Sequence, residues 1–197
     1  MKPTHSLERW MSYTVVLVLA VGSVCCGGGG GGGGSTGPLV AAFNPTSPGT
    51  PAANTINMSG AASGASFQVQ VHVTGINSLY GAAFHVTFNS ASATFAGFSS
   101  AGSVLGAGAD IRAEQLAPGE VAAVATLQGQ VQGTNVAGTQ LLMTLNFNAI
   151  AETGNNPFTF GLAANRVVTT CPTPPAACSN IPDGSLVWTG GTLTASR

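Results

Sequence analysis

Phe67–Asn89, FQVQVHVTGINSLYGAAFHVTFN, decides how the rest of the chain is read. Phe67, Val69, Val71 and Val73 alternate with Gln68, Gln70, His72 and Thr74. Further on, Phe84, Val86 and Phe88 alternate with Ala83, His85, Thr87 and Asn89. Successive strand side chains point to opposite faces, so both runs predict strands with one buried and one wet face. Gly75 and the Asn77-Ser78 pair break the pattern between them, which read locally makes a hairpin with a tight connection. Two half-buried strands do not stand alone and need a second apolar sheet to cover them.

The flanking sequence supplies that cover. Upstream, Leu39–Phe43 predicts a first strand, Thr55–Met58 a short edge strand and Gly60–Gly64 a turn. Downstream, Ala93–Phe98 predicts a strand and Ser99–Gly108 a glycine-punctuated loop, while Asp110–Leu116 fits either a strand or a single helical turn. Val121–Leu127 is a strand with an alanine-rich side. Leu141–Ile150 alternates, with Leu141, Met143, Leu145 and Phe147 inward and Leu142, Thr144, Asn146 and Asn148 outward. Phe158–Phe160, Arg166–Thr169, Leu186–Trp188 and Gly191–Thr194 complete the set. About nine short strands punctuated by turns predict an all-β fold, an antiparallel two-sheet β-sandwich over residues 38–197.

Composition narrows the function. Charged residues make up 6% of the 197 residues, against roughly a quarter in an average globular protein. Past the first ten residues the basic groups are Arg112, Arg166 and Arg197, and no lysine follows Lys2. Phosphate recognition needs clustered Lys or Arg, so nucleic acid is excluded as a partner, and so is a basic lipid-binding patch. Recognition by this surface rests on shape, apolar contact and neutral hydrogen bonds.

Residues 1–24 predict an export segment, with Lys2 and Arg9 ahead of the apolar run Val15–Val21. That run is shorter than the roughly 20 apolar residues a membrane-spanning helix needs. Residues 25–37 hold Cys25-Cys26 and an unbroken run of glycine from Gly27 to Gly34. Small residues before a cysteine, directly after an export core, resemble the lipobox of bacterial lipoproteins. That resemblance implies a diacylglyceryl group on Cys25 or Cys26, with Gly22 or Ser23 standing where a leucine is usual. The glycine run would then act as a flexible tether from the cell envelope. An ordinary secretory signal cleaved nearby is the alternative. The other two cysteines lie in CPTPPAAC, and a Cys171–Cys178 disulfide would staple a proline-rich loop that has no core of its own.

The order of motifs resembles the cohesin domain. It runs from the valine-rich strand through Leu79-Tyr80-Gly81-Ala82-Ala83-Phe84 to a Phe88-Asn89-Ser90 corner. The Leu141–Phe147 strand, Phe158-Thr159-Phe160, Pro182-Asp183-Gly184 and Trp188-Thr189-Gly190-Gly191-Thr192-Leu193 follow. The resemblance spans Leu39–Ser196 and implies a nine-strand jelly roll related to carbohydrate-binding modules. It also places the two strands of Phe67–Asn89 in opposite sheets, with His72 and His85 on opposite outer faces. Characterised cohesins bind dockerin modules through one flat sheet face, to which the strand matching Leu79–Asn89 contributes. On that face Gly81 and Ala83 stand where many members carry polar side chains, and Asn89 where an aspartate is frequent. These departures leave the expected fold intact and count against a dockerin as the partner.

Chemistry is sparse. No G-x-S-x-G elbow is present for a hydrolytic triad. Glu114 and Glu120 are the nearest pair of carboxylates and read as charges on a solvated loop. His72 and His85 fall short of a zinc set and read as solvated strand histidines, and Asp110 and Asp183 are too isolated for calcium. No metal and no cofactor is expected. Trp188 reads as core filler and Tyr80 as a loop-edge ring, so a sugar-stacking strip is not evident. The sequence therefore predicts a non-catalytic, exported binding module acting in protein–protein interaction through a face containing Gly81, Ala83, His85 and Thr87. Polysaccharide binding, or a structural surface role, is the alternative, with the membrane reached only through a lipid anchor.

Overall fold

The Phe67–Asn89 hairpin does not form, because its two strands are divided between two sheets. The computed structural model of the chain describes residues 37–47, 49–129, 131–170 and 178–197, with 162–164 described by backbone alone. Within these lie β1 (Val40–Pro45), β2 (Thr55–Ser63), β3 (Ser66–Thr74), β4 (Gly81–Thr87), β5 (Ala93–Ser99) and β6 (Asp110–Ala117). Then follow β7 (Glu120–Thr126), β8 (Thr139–Ala149), β9 (Thr153–Thr170), β10 (Ser179–Asn180), β11 (Val187–Thr189) and β12 (Gly191–Ser196). One sheet has the order β1-β12-β9-β4-β7-β6, with β10 added on β9, and the other runs β11-β2-β3-β8-β5. This is the all-β, two-sheet jelly-roll sandwich that the periodicity and the resemblance predicted, with twelve strands described in place of about nine. β11 pairs with β2 in parallel, the exception to an otherwise antiparallel set.

The inward residues of β3 and β4 are the predicted ones. Phe67, Val69, Val71, Val73, Phe84 and Val86 are all buried, as is Phe88 directly after β4. At one end of the sandwich the rings close on one another: Phe67–Phe147 at 5.4 Å, Phe147–Phe158 at 5.1 Å and Phe88–Phe158 at 5.2 Å between centroids. Such pairs add about 0.5–1.5 kcal/mol each beyond simple burial. Phe84 and Phe160 form a second cluster with Trp188, whose ring centroid lies 6.3 and 4.9 Å from theirs. The buried core runs from Ala41 to Ala195, and all twelve strands pair among themselves. Ser35–Arg197 is thus a compact unit with a complete ladder and its own core, able to fold alone.

Several local expectations are corrected. Thr55–Met58 is not an edge strand, since β2 lies between β11 and β3. Gly60 is not in a turn but in the middle of β2, where Phe43 packs over the position a side chain would occupy. In β8 the strict alternation fails at Leu142, which is buried. His72 pairs with Leu141 while Val71 pairs with Met143, so Leu142 is the extra residue of a bulge. Phe158–Phe160 and Arg166–Thr169 are parts of one 18-residue strand, β9, interrupted by a register shift against β4. Asp110–Leu116 resolves as strand.

The expectations for the export segment, for Cys25 or Cys26 and for the glycine tether fall on residues 1–36, outside those described. The Cys171 end of the Cys171–Cys178 pairing falls outside them too. No helix among the described residues is long and apolar enough to cross a membrane.

Candidate functional site

β4 lies between β9 and β7, with β6 beyond, so its outward residues sit in the middle of a four-strand face. The register defines rows across that face. Arg166 of β9, Ala83 of β4, Val124 of β7 and Arg112 of β6 form one row. Gly161, His85, Ala122 and Glu114 form the next, and Thr159, Thr87 and Glu120 the third. With strands about 4.8 Å apart, the arginines bracket a platform roughly 14 Å wide. Its middle is Ala83, Ala122 and Val124, side chains too short to rise above the sheet. The chain has eight charged residues after Gly37: Asp110, Arg112, Glu114, Glu120, Glu152, Arg166, Asp183 and Arg197. Five of them, all but Glu152, Asp183 and Arg197, rim this one face.

His85 is held rather than merely solvated. Its Nδ1 lies 2.7 Å from Glu120 Oε1, and its backbone N–H donates to Asn165 Oδ1 at 3.1 Å. The second bond falls at the register shift between β4 and β9, where the Asn165 side chain meets the His85 backbone. Both partners of the His85–Glu120 pair are partly exposed, which limits it to about 0–1 kcal/mol. Thr87 is tied to Thr159 through a 2.8 Å hydroxyl contact. Glu114 and Glu120 lie on neighbouring strands rather than a loop, and Glu120 belongs with His85.

Gly81 is the predicted site residue that does not belong to the accessible face. It is buried, and a Cβ there would come 2.9 Å from both the Ala125 carbonyl oxygen and Thr126 Oγ1. Ala83, His85 and Thr87 remain accessible. The sequence reading missed Arg112, Val124, Glu114 and Arg166, which reach the face only through cross-strand register. His72 lies on the outer face of the opposite sheet, as the resemblance implied. Its Nε2 is 3.0 Å from Ser59 Oγ, its Nδ1 is buried without a partner, and burial holds its pKa below the ordinary histidine value. Among the described residues no three His, Cys, Asp or Glu side chains gather as metal ligands. Trp188 packs on the core as expected, and the Tyr80 hydroxyl donates to the Gly129 carbonyl.

No protein-family model matches the sequence, and no curated protein matches it. Solved structures do resemble the fold. A type II cohesin domain from the cellulosome of Acetivibrio cellulolyticus is similar, with TM-score 0.51 and 11% identity over 72% of this chain and 94% of that one. The third cohesin ScaC of the same organism, solved with the ScaB dockerin, also has TM-score 0.51, with 14% identity over 64% of this chain and 86% of that one. The chain therefore carries a cohesin-like domain by fold. At such identities the likeness extends to the architecture and leaves the face to be argued from its own residues.

Proposed function

We propose that this protein is a non-catalytic recognition module that binds a protein partner through the β9-β4-β7-β6 face. One observation carries the reading: a nearly uncharged chain concentrates its charges around a flat platform of Ala83, Ala122 and Val124. A small-residue centre lets a partner's backbone or helix approach closely, and a charged rim fixes its orientation. The solved complex of the similar cohesin with a dockerin makes a dockerin-type module the first partner to test, even though Ala83 offers no polar group. Export and lipid anchoring through Cys25 or Cys26 belong to the same proposal and would place the module at the cell envelope. Among the described residues no outward row of aromatic rings supports polysaccharide binding, since Trp188 is spent on Phe84 and Phe160.

The test is Ala83→Arg in Ser35–Arg197, in pull-downs from the host's envelope and secreted fractions followed by affinity measurement with each protein captured. An arginine there must be desolvated without a counter-charge, so binding should weaken on the order of 100-fold while the fold is retained. A partner bound equally well by wild type and variant would show that the face lies elsewhere.

A further inference from the structure

We propose that the free edge of β6 pairs with the same edge of a second copy, joining two β9-β4-β7-β6 sheets into one. This goes beyond the partner-binding role, which uses the face of these strands rather than their edge.

Unpaired strand edges invite strand addition, and folded proteins blunt them with bulges, short strands or covering segments. Three of the other edges here are blunted. β1 has its Ala41 N–H taken by the Gly64 carbonyl at 2.8 Å. β5 is bent by a register shift between Phe95 and Gly97, and Gly97 has φ of 125°. β11 is three residues long. Among the described residues β6 pairs with β7 alone, in unbroken register from Asp110 to Gln115, and its one shift is confined to the strand end between Gln115 and Ala117.

The remaining protection on β6 is charge, and its pattern is self-complementary. In an antiparallel pair centred on Ala113, Arg112 stands opposite Glu114 of the second copy, and Glu114 opposite its Arg112. Directly opposed side chains on an antiparallel pair have Cβ atoms roughly 4.5–5.5 Å apart, within reach of an ion pair. The Glu114 side chain has no hydrogen bond or ion pair among the described residues, while Arg112 Nε holds Asp110 at 2.7 Å with the rest of its guanidinium pointing to no other described partner. On the inner side the same register sets Ala113 against Ala113 and Ile111 against Gln115, with no like charges opposed.

The experiment is a concentration series of Ser35–Arg197 by analytical ultracentrifugation, with Arg112→Glu, Glu114→Arg and the double variant. Two-fold symmetry makes each single substitution turn two attractive pairs repulsive, so the dissociation constant should rise about tenfold or more in either. The double variant restores both pairs with signs exchanged and should return to within about threefold of wild type. Circular dichroism confirms that each variant is folded. A wild type that stays monomeric at every concentration overturns the proposal. So does a dimer indifferent to the single substitutions, or one that the double variant fails to restore. Partner binding by Ala83→Arg is read separately, so either proposal can fail without the other.

Discussion

Substituting Gly60 with alanine sets two effects of opposite sign against each other. Gly60 lies within β2 and is not among the residues with positive φ, so alanine suits its backbone. By itself the change would stabilise by about 0.4–1 kcal/mol through the unfolded state. Space decides otherwise. A Cβ on Gly60 would sit 2.6 Å from both Cβ and Cδ1 of Phe43 and 2.8 Å from the Gln68 carbonyl oxygen. Phe43 has no retreat: it is 8% exposed, stacks on Phe67 at 6.4 Å and meets Phe158 edge-on at 5.6 Å. The carbonyl belongs to β3, fixed between β2 and β8. Overpacking of this kind costs about 1–3 kcal/mol, which outweighs the entropic gain and leaves a net loss of about 1–2 kcal/mol. In urea titrations of Ser35–Arg197 the midpoint should fall while the slope is unchanged. In a Phe43→Leu background the Cβ and carbonyl contacts persist, so the same substitution should remain destabilising. An unchanged or raised midpoint for Gly60→Ala would refute the packing argument.

Two further outcomes follow from other parts of the chain. Because burial holds the His72 pKa below its unfolded value, the unfolded chain takes up the proton first as pH falls. The contribution is therefore intact above the unfolded value of about 6.5 and is lost as pH drops toward the folded one. Urea midpoints between neutral and mildly acidic pH should decline, and a His72→Gln variant should show a shallower decline; parallel curves would remove His72 as the cause. For Cys171 and Cys178, thiol titration of unfolded, unreduced Ser35–Arg197 should find no free thiol, and two titratable thiols would refute the staple.

Much of the fold was legible because it is local. The alternation in β3 and β4 is a property of consecutive residues, and their buried sides are as read. What failed was non-local. Gly60 looks like a turn residue beside Gly64, but it is glycine because Phe43, arriving from β1, needs the space. Leu142 breaks its strand's alternation because β3 opposes it with one residue fewer, which no inspection of β8 alone reveals. The candidate face shows the same division. Ala83, His85 and Thr87 follow from the period of β4, whereas Arg112, Glu114 and Arg166 join them only through strand pairing. Asn165, which completes the His85 backbone, is 80 residues away in sequence. The resemblance to cohesins corrected the hairpin reading, because topology is what a family pattern carries and periodicity does not.

The placement of Trp188 gives the sandwich a built-in optical probe. The chain has two tryptophans, and Trp10 is absent from Ser35–Arg197, so all indole fluorescence of that unit comes from one ring. That ring leans on Phe84, whose chain neighbours Ala83 and His85 form the centre of the proposed docking face. A ligand that shifts β4 by even a fraction of an ångström alters the packing and hydration around the indole, and with them its emission wavelength and yield. Occupancy of the outer face can thus be followed from the inside of the sheet, in solution and without any label.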